Sequence, residues 1–124
     1  MTTPETRNLA IRTVMMPRDT NHLGSIFGGH ILSLLDLAAG QHARTVAMKK
    51  YLTKVMKEVN FIAPVFVGDI VSFYTTTVKK GRTSITIKVD VEALRGVDTA
   101  QTIQVTTAEV VMVAVNDKNE PITI

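Results

Sequence analysis

The sequence contains no cysteine and no tryptophan, and aromatic residues make up only 5% of it. Without cysteine there are no disulfides, thiolate nucleophiles, iron–sulfur clusters or cysteine zinc sites. So few aromatics leave little material for a base-stacking platform. No apolar run approaches the ~18 residues that a membrane span needs. Residues Met1 to Ala10 carry no apolar leader core. The three histidines, His22, His30 and His42, fall outside any HExxH spacing. The expectations are therefore no metal, no nucleic acid partner, no membrane, and a cytoplasmic or otherwise reducing setting.

What is present is globular. Of 124 residues, 45% are apolar and 20% charged, which suits one domain of ordinary size. The core must come from Val, Ile, Leu, Met and Ala. Lysine and arginine number 14 against 11 acidic residues, for a net charge of +3. The basic residues are scattered, and their densest groups are Lys49-Lys50 with Lys54 and Lys57, and Lys79-Lys80 with Arg82. Neither group is a run or is interleaved with aromatics, so a nucleic-acid surface is disfavoured. Solvated lysines or a local phosphate contact remain.

Residues 1–8 are polar with Pro4 and read as a loose arm; residues 9–124 read as one domain. Leu9 to Met15 predicts a short strand ended by Pro17. Turn-forming residues run from there to Gly29, in a loop that also holds Ile26 and Phe27. From Gly28 to Met48 the apolar residues recur at helical spacing. On a helical projection Ile31, Leu32, Leu34, Leu35, Ala38, Ala39 and Val46 cover about half the circumference. Strands are expected over 52–61, 70–78, 84–91 and 102–115, with turns at 63–69, Lys80-Gly81, 94–100 and 116–121. Ile85, Ile87, Val89 and Val91 share one face of the fourth strand. Thr75, Thr77, Thr86 and Lys88 are expected on the polar outer face. The order implies an α+β domain, one long helix against an antiparallel sheet of about five strands. Its open edges favour self-association.

Asp36 is the first candidate for chemistry, because its near neighbours in LSLLDLAAG are apolar except Ser33. It either faces solvent at the helix edge or serves as a base or nucleophile in an apolar cleft. The Gly28-Gly29 pair opens the helix. Free N–H groups there favour an anion or a developing oxyanion, although a plain flexible turn uses the same residues. No nucleotide fingerprint, GxSxG or Ser-His-Asp arrangement is present. Glu109, in phase with Val105, Val111 and Val113, is a second candidate for a buried carboxylate, although such a residue more often sits near a strand end or finds a partner.

The segment DTNHLGSIFGGHILSLLDLAAG, residues 19–40, resembles the signature of the hotdog-fold acyl-CoA thioesterases, in their YciA-like branch. VNFIAPVFVGDIVSFY (59–74), KKGRTSITIKVDV (79–91) and TTAEVVMVAVN (106–116) extend the resemblance over most of the chain. It implies a hotdog domain over 9–124 that hydrolyses acyl-CoA to free CoA and a carboxylic acid. Asp36 would be the catalytic carboxylate, acting on water or on the thioester carbonyl. Asn21 would join it from a facing subunit, and the Gly28 and Gly29 amides would hold the oxyanion. His22, Phe27 and Phe61 would contact substrate, while Lys80, Arg82, Thr83 and Ser84 would meet the CoA nucleotide. No cofactor is implied beyond the coenzyme A of the substrate. Self-association to a dimer, and on to a tetramer or hexamer, is implied as well. Two positions depart from the family pattern: Ser25 replaces a frequent Asp, and His30 replaces a frequent large aromatic. The alternative is a hotdog module that binds acyl-CoA without turning it over.

Overall fold

The computed structural model describes residues 6–124. The element order is β1 (Asn8–Val14), α1 (Gly28–Val46), β2 (Lys50–Phe61), β3 (Ile70–Lys80), β4 (Ser84–Arg95) and β5 (Gln101–Val115), with one 3-10 turn at Pro17–Asp19. The five strands form a single sheet in the order β1-β3-β4-β5-β2, and every neighbouring pair is antiparallel. Helix α1 lies across one face, giving the two-layer α+β arrangement expected of this pattern.

The period-2 alternation of the strands explains which residues meet the helix. Val71 and Phe73 of β3, Ile85, Ile87, Val89, Val91 and Ala93 of β4, and Ala108, Val110 and Met112 of β5 turn inward and are buried. Helix α1 answers with Ile31, Leu35, Ala38, Ala39 and Ala43. The three alanines let the helix lie close to the sheet, so a core with few aromatics still packs. Val46, placed on the buried arc by helical projection, is instead exposed near the end of the helix.

Thr75 and Thr77 do not lie on the outer face. They follow Val71 and Phe73 on the inward row, and Thr75 is fully buried. Their partner is His42, a buried helix residue that the helical pattern did not single out. His42 Nδ1 lies 2.9 Å from Thr75 Oγ1 and Nε2 lies 2.7 Å from Thr77 Oγ1. Thr75 Oγ1 also faces the Asn8 carbonyl at 3.4 Å. Because Thr75 donates there, it accepts from Nδ1–H, and Nε2 accepts from Thr77. A neutral imidazole thus pins the helix to β3, and burial holds its pKa below the ordinary histidine value.

Three further boundaries differ from the sequence reading. β4 runs on through Leu94 and Arg95, because both pair with Thr102 and Gln101 of β5. A bulge between Val91 and Glu92 turns Val105 into the core and leaves Glu109 on the outer face. Glu109 there lies opposite Lys88 in register and 4.0 Å from Lys57. Of the arm expected over residues 1–8, residues 1–5 lie outside the described residues. Arg7 stacks 4.0 Å over Tyr74 and pairs with Glu92 at 3.1 Å, and Asn8 already pairs with Thr75.

Candidate active site

Asp36 lies two turns into α1, in a cleft lined by Leu37, Gly40, Tyr51, Leu52 and Met112. It is half-buried. Its Oδ1 accepts the Thr53 hydroxyl hydrogen at 2.6 Å. β2 brings Thr53 there because Thr53 and Met112 share a register position on the helix-facing side. Among the described residues Asp36 makes no salt bridge. Arg44 lines the same cleft without forming a salt bridge to Asp36, and a carboxylate with one oxygen held and no ion pair keeps lone pairs for work on a proton or a carbon.

The helix start is built differently. Phe27 occupies the N-cap position with no side-chain cap. Among the described residues, neither the Gly28 nor the Gly29 N–H donates to a protein acceptor. These are two of the four amide hydrogens a helix leaves unsatisfied, and the helix dipole reinforces their pull on negative charge. The rings of Phe27 and Phe61 flank them. A Cβ on Gly29 would stand 2.6 Å from Phe27 Cε1, and one on Gly28 would stand 3.5 Å from the Phe61 ring. Both rings are more than half exposed, at 58% and 56%. The two glycines open onto different clefts. Gly28 lines an apolar one with Ile26, Ile31, Phe61 and Val65. Gly29 lines one with Asn21, His22, Phe27 and His30.

Asn21 shapes the loop that leads in. Its Oδ1 accepts the Leu23 N–H at 2.8 Å and the Ser25 N–H at 3.3 Å, an Asx turn. Its Nδ2 donates to Ser25 Oγ at 3.3 Å. Ser25 therefore touches Asn21 directly. His30 lies 3.5 Å from Asp19, whose other carboxylate oxygen accepts the Met16 N–H. His22 is exposed beside them.

Lys80 ends β3, Arg82 and Thr83 lie in the β3–β4 turn, and Ser84 opens β4. Gly81 N–H donates to the Ser84 carbonyl at 2.7 Å and closes the turn. The Thr83 carbonyl accepts from Ala114 and the Arg82 carbonyl from Ile124. Lys80 and Arg82 are exposed.

Within one chain these pieces do not converge. Asp36 follows Gly29 by seven residues, about 10 Å at 1.5 Å per residue. Ser84 pairs with Val113, near Leu52, whereas the Phe61 beside Gly28 pairs with Thr106 at the other end of β5. The basic turn therefore lies at the opposite end of the sheet from the glycines. Asn21 and Asp36 line separate clefts. Among the described residues no group of three His, Asp or Glu stands where it could hold a metal ion, and no helix is long and apolar enough to cross a membrane.

One helix over a five-stranded antiparallel sheet, with a carboxylate in mid-helix and open amides at its start, defines a class that comparison with known proteins identifies. Residues 23–100 match the family model of the thioesterase superfamily. The acyl-CoA thioester hydrolase YciA of Salmonella typhimurium is 36% identical over 115 residues, covering 91% of this chain and 86% of that protein. A Haemophilus influenzae protein named as an acyl-CoA thioester hydrolase is 45% identical over 83 residues, or 67% of this chain. That match spans 54% of the Haemophilus protein. The crystal structure of a hexameric hotdog-fold thioesterase from Campylobacter jejuni superposes with a TM-score of 0.89 at 41% identity, covering 94% of this chain and 89% of that one. The chain belongs to the hotdog-fold thioesterase superfamily, in the branch of the YciA-like acyl-CoA thioester hydrolases.

Proposed function

We propose that this protein hydrolyses acyl-CoA thioesters at a site assembled between two subunits. The observation that carries the reading is the ~10 Å along α1 between the Gly29 amide and Asp36. A tetrahedral carbon needs its oxyanion donors and its attacking group within about 3 Å. The amides of one helix start and the Asp36 of a second chain meet that requirement without bending either helix. Asn21 travels with the glycines, on the loop that opens α1.

In this reading Asp36 either takes a proton from water, whose oxygen attacks the thioester carbonyl, or attacks that carbon itself. The Gly28 and Gly29 N–H groups stabilise the oxyanion. Asn21 keeps an Nδ2 proton to orient water or substrate. Collapse of the intermediate breaks the carbon–sulfur bond and releases CoA as thiolate; in the water route this leaves the free acid, and in direct attack it leaves an Asp36 mixed anhydride that water then cleaves to the acid and free Asp36. Phe27, Phe61 and His22 border the substrate path. Lys80 and Arg82, exposed cations beside the Thr83 and Ser84 groups, suit the phosphates of the CoA nucleotide. The chemistry calls for no cofactor beyond the coenzyme A that substrate brings. Exposed Leu23, Leu37 and Ile62 supply apolar surface for the pairing. Association beyond the dimer, to a tetramer or hexamer, belongs to the same reading, and the Campylobacter relative is a hexamer.

The test is a hydrolysis screen of the purified protein across short, medium and long acyl-CoA substrates, with Asp36→Asn alongside. Turnover by the wild type and its loss in Asp36→Asn, at unchanged assembly mass, supports the reading. Tight CoA binding without turnover of any acyl-CoA would instead identify a non-catalytic binding module.

A further inference from the structure

The loop before α1 is loosely tied. Among the described residues, the Ile26 N–H to Val65 carbonyl bond, at 2.8 Å, is the only backbone hydrogen bond from residues 17–27 to a part of the chain outside residues 16–46. Ile26 stands two residues before Gly28 and packs in the core with Val65, so Val65 helps to fix where the chain reaches the amides. Val65 itself sits in the 62–69 connection, which has no helix or strand.

Arg95 holds both flanks of Val65. Its Nη2 donates to the Pro64 carbonyl at 3.1 Å and to Asp69 Oδ2 at 2.7 Å. Its Nε donates to Asp69 Oδ1 at 3.0 Å. Asp69 is only 2% exposed, its Oδ2 also accepts the Phe66 N–H at 3.0 Å, and its carbonyl accepts from Met15 at 2.9 Å. The guanidinium lies 4.7 Å over the Phe66 ring. A planar fork serves two acceptors on either side of one residue, which a lysine ammonium does not reproduce.

We propose that Arg95 is a positioning residue for hydrolysis, fixing the Gly28 and Gly29 amides through Pro64 and Asp69, Val65 and Ile26. The inference rests on the function proposed above. Arg95 touches no substrate in this account. It decides how well the oxyanion donors are aimed, a property that acts in the transition state rather than in binding.

The experiment compares wild type, Arg95→Lys, Arg95→Ala and Asp69→Asn by steady-state kinetics and by hydrogen exchange at the Ile26 amide, at a temperature where each is folded and of wild-type mass. Arg95→Lys keeps the charge and covers the case in which Arg95→Ala fails to fold. The expected result for Arg95→Lys is a kcat about 10- to 100-fold lower with KM nearly unchanged, since small misplacement costs that much. Its Ile26 amide exchanges faster. Arg7→Ala, which removes the exposed pair with Glu92, leaves kcat and Ile26 exchange as in wild type. A lower melting temperature with kcat and Ile26 exchange unchanged would make Arg95 merely structural and overturn the proposal. So would a raised KM at constant kcat. If the wild type hydrolyses no acyl-CoA, the proposed function fails. The clamp is then judged on exchange alone, supported by faster Ile26 exchange in Arg95→Lys and refuted by unchanged exchange.

Discussion

The Thr53 hydroxyl on β2 donates to Asp36 Oδ1 on α1 at 2.6 Å, and it is the one side-chain hydrogen bond that any described residue makes to this carboxylate. The bond crosses from sheet to helix and leaves Oδ2 without a side-chain partner. It orients the carboxylate and spreads part of its charge.

Removing that donor tests its share in the chemistry. A hydrogen bond to a charged group is worth about 1.5–3 kcal/mol, so Thr53→Val is expected to lower kcat by roughly 10- to 100-fold. Thr53→Ser, which keeps the hydroxyl, retains most of the activity. Steady-state kinetics on one acyl-CoA checks both. Wild-type activity in Thr53→Val would show that the hydroxyl plays no part in the chemistry.

Gly29 and Phe27 are coupled by contact. A Cβ at Gly29 would meet the far edge of the Phe27 ring at 2.6 Å, whereas one at Gly28 finds ordinary contact with Phe61 at 3.5 Å. The exposed Phe27 ring can swing aside, so Gly29→Ala is expected to fold with a melting temperature close to wild type. Its kinetic penalty and that of Phe27→Ala are then not additive, because the first substitution already displaces the ring. A double-mutant cycle reads this directly, and strict additivity would separate the two residues.

His42 makes stability pH-dependent. Burial lowers its folded-state pKa, so the folded chain binds fewer protons than the unfolded one below the unfolded value of about 6.5. The contribution of the neutral ring is fully present above that pH and is lost as pH falls toward the folded value. Denaturant unfolding between pH 7.5 and 5.5 is expected to show falling stability, with a shallower slope in His42→Gln. Equal slopes in the two proteins would place the sensitivity elsewhere.

The arrangement of helix and strands was legible because it rests on periodicity: Ile85, Ile87, Val89 and Val91 alternate without a break, and Ile31, Leu35, Ala38 and Ala39 recur at helical spacing. What periodicity concealed was polar material in the core. Thr75 and Thr77 look like an outer face until His42 supplies partners 33 and 35 residues away, and long-range hydrogen bonds leave no local pattern. A bulge reverses the phase at Val105, so Glu109 shares the outer face with Val111 and Val113 and finds Lys57 and Lys88 there, and β4 runs past Val91 because Leu94 and Arg95 pair with β5, Leu94 also lying opposite Ile70 of β3. Asp36, Asn21 and the glycine pair could be named from their neighbours and from the family resemblance. Their separation into different clefts of one chain, and the Arg95–Asp69 clamp, needed three dimensions.

That separation gives the central claim, a site shared between subunits with Asn21 and Asp36 from different chains. Mixing two inactive variants, Asn21→Ala and Asp36→Ala, tests it most directly. A mixed pair carries one site with both wild-type residues and one with neither. Random reassortment after gentle dissociation should therefore restore about a quarter of the wild-type kcat, since half the pairs are mixed and each has one good site of two. Recovery near that level is the predicted result. A mixture no more active than its two components, with subunit exchange confirmed by mass, would contradict the account.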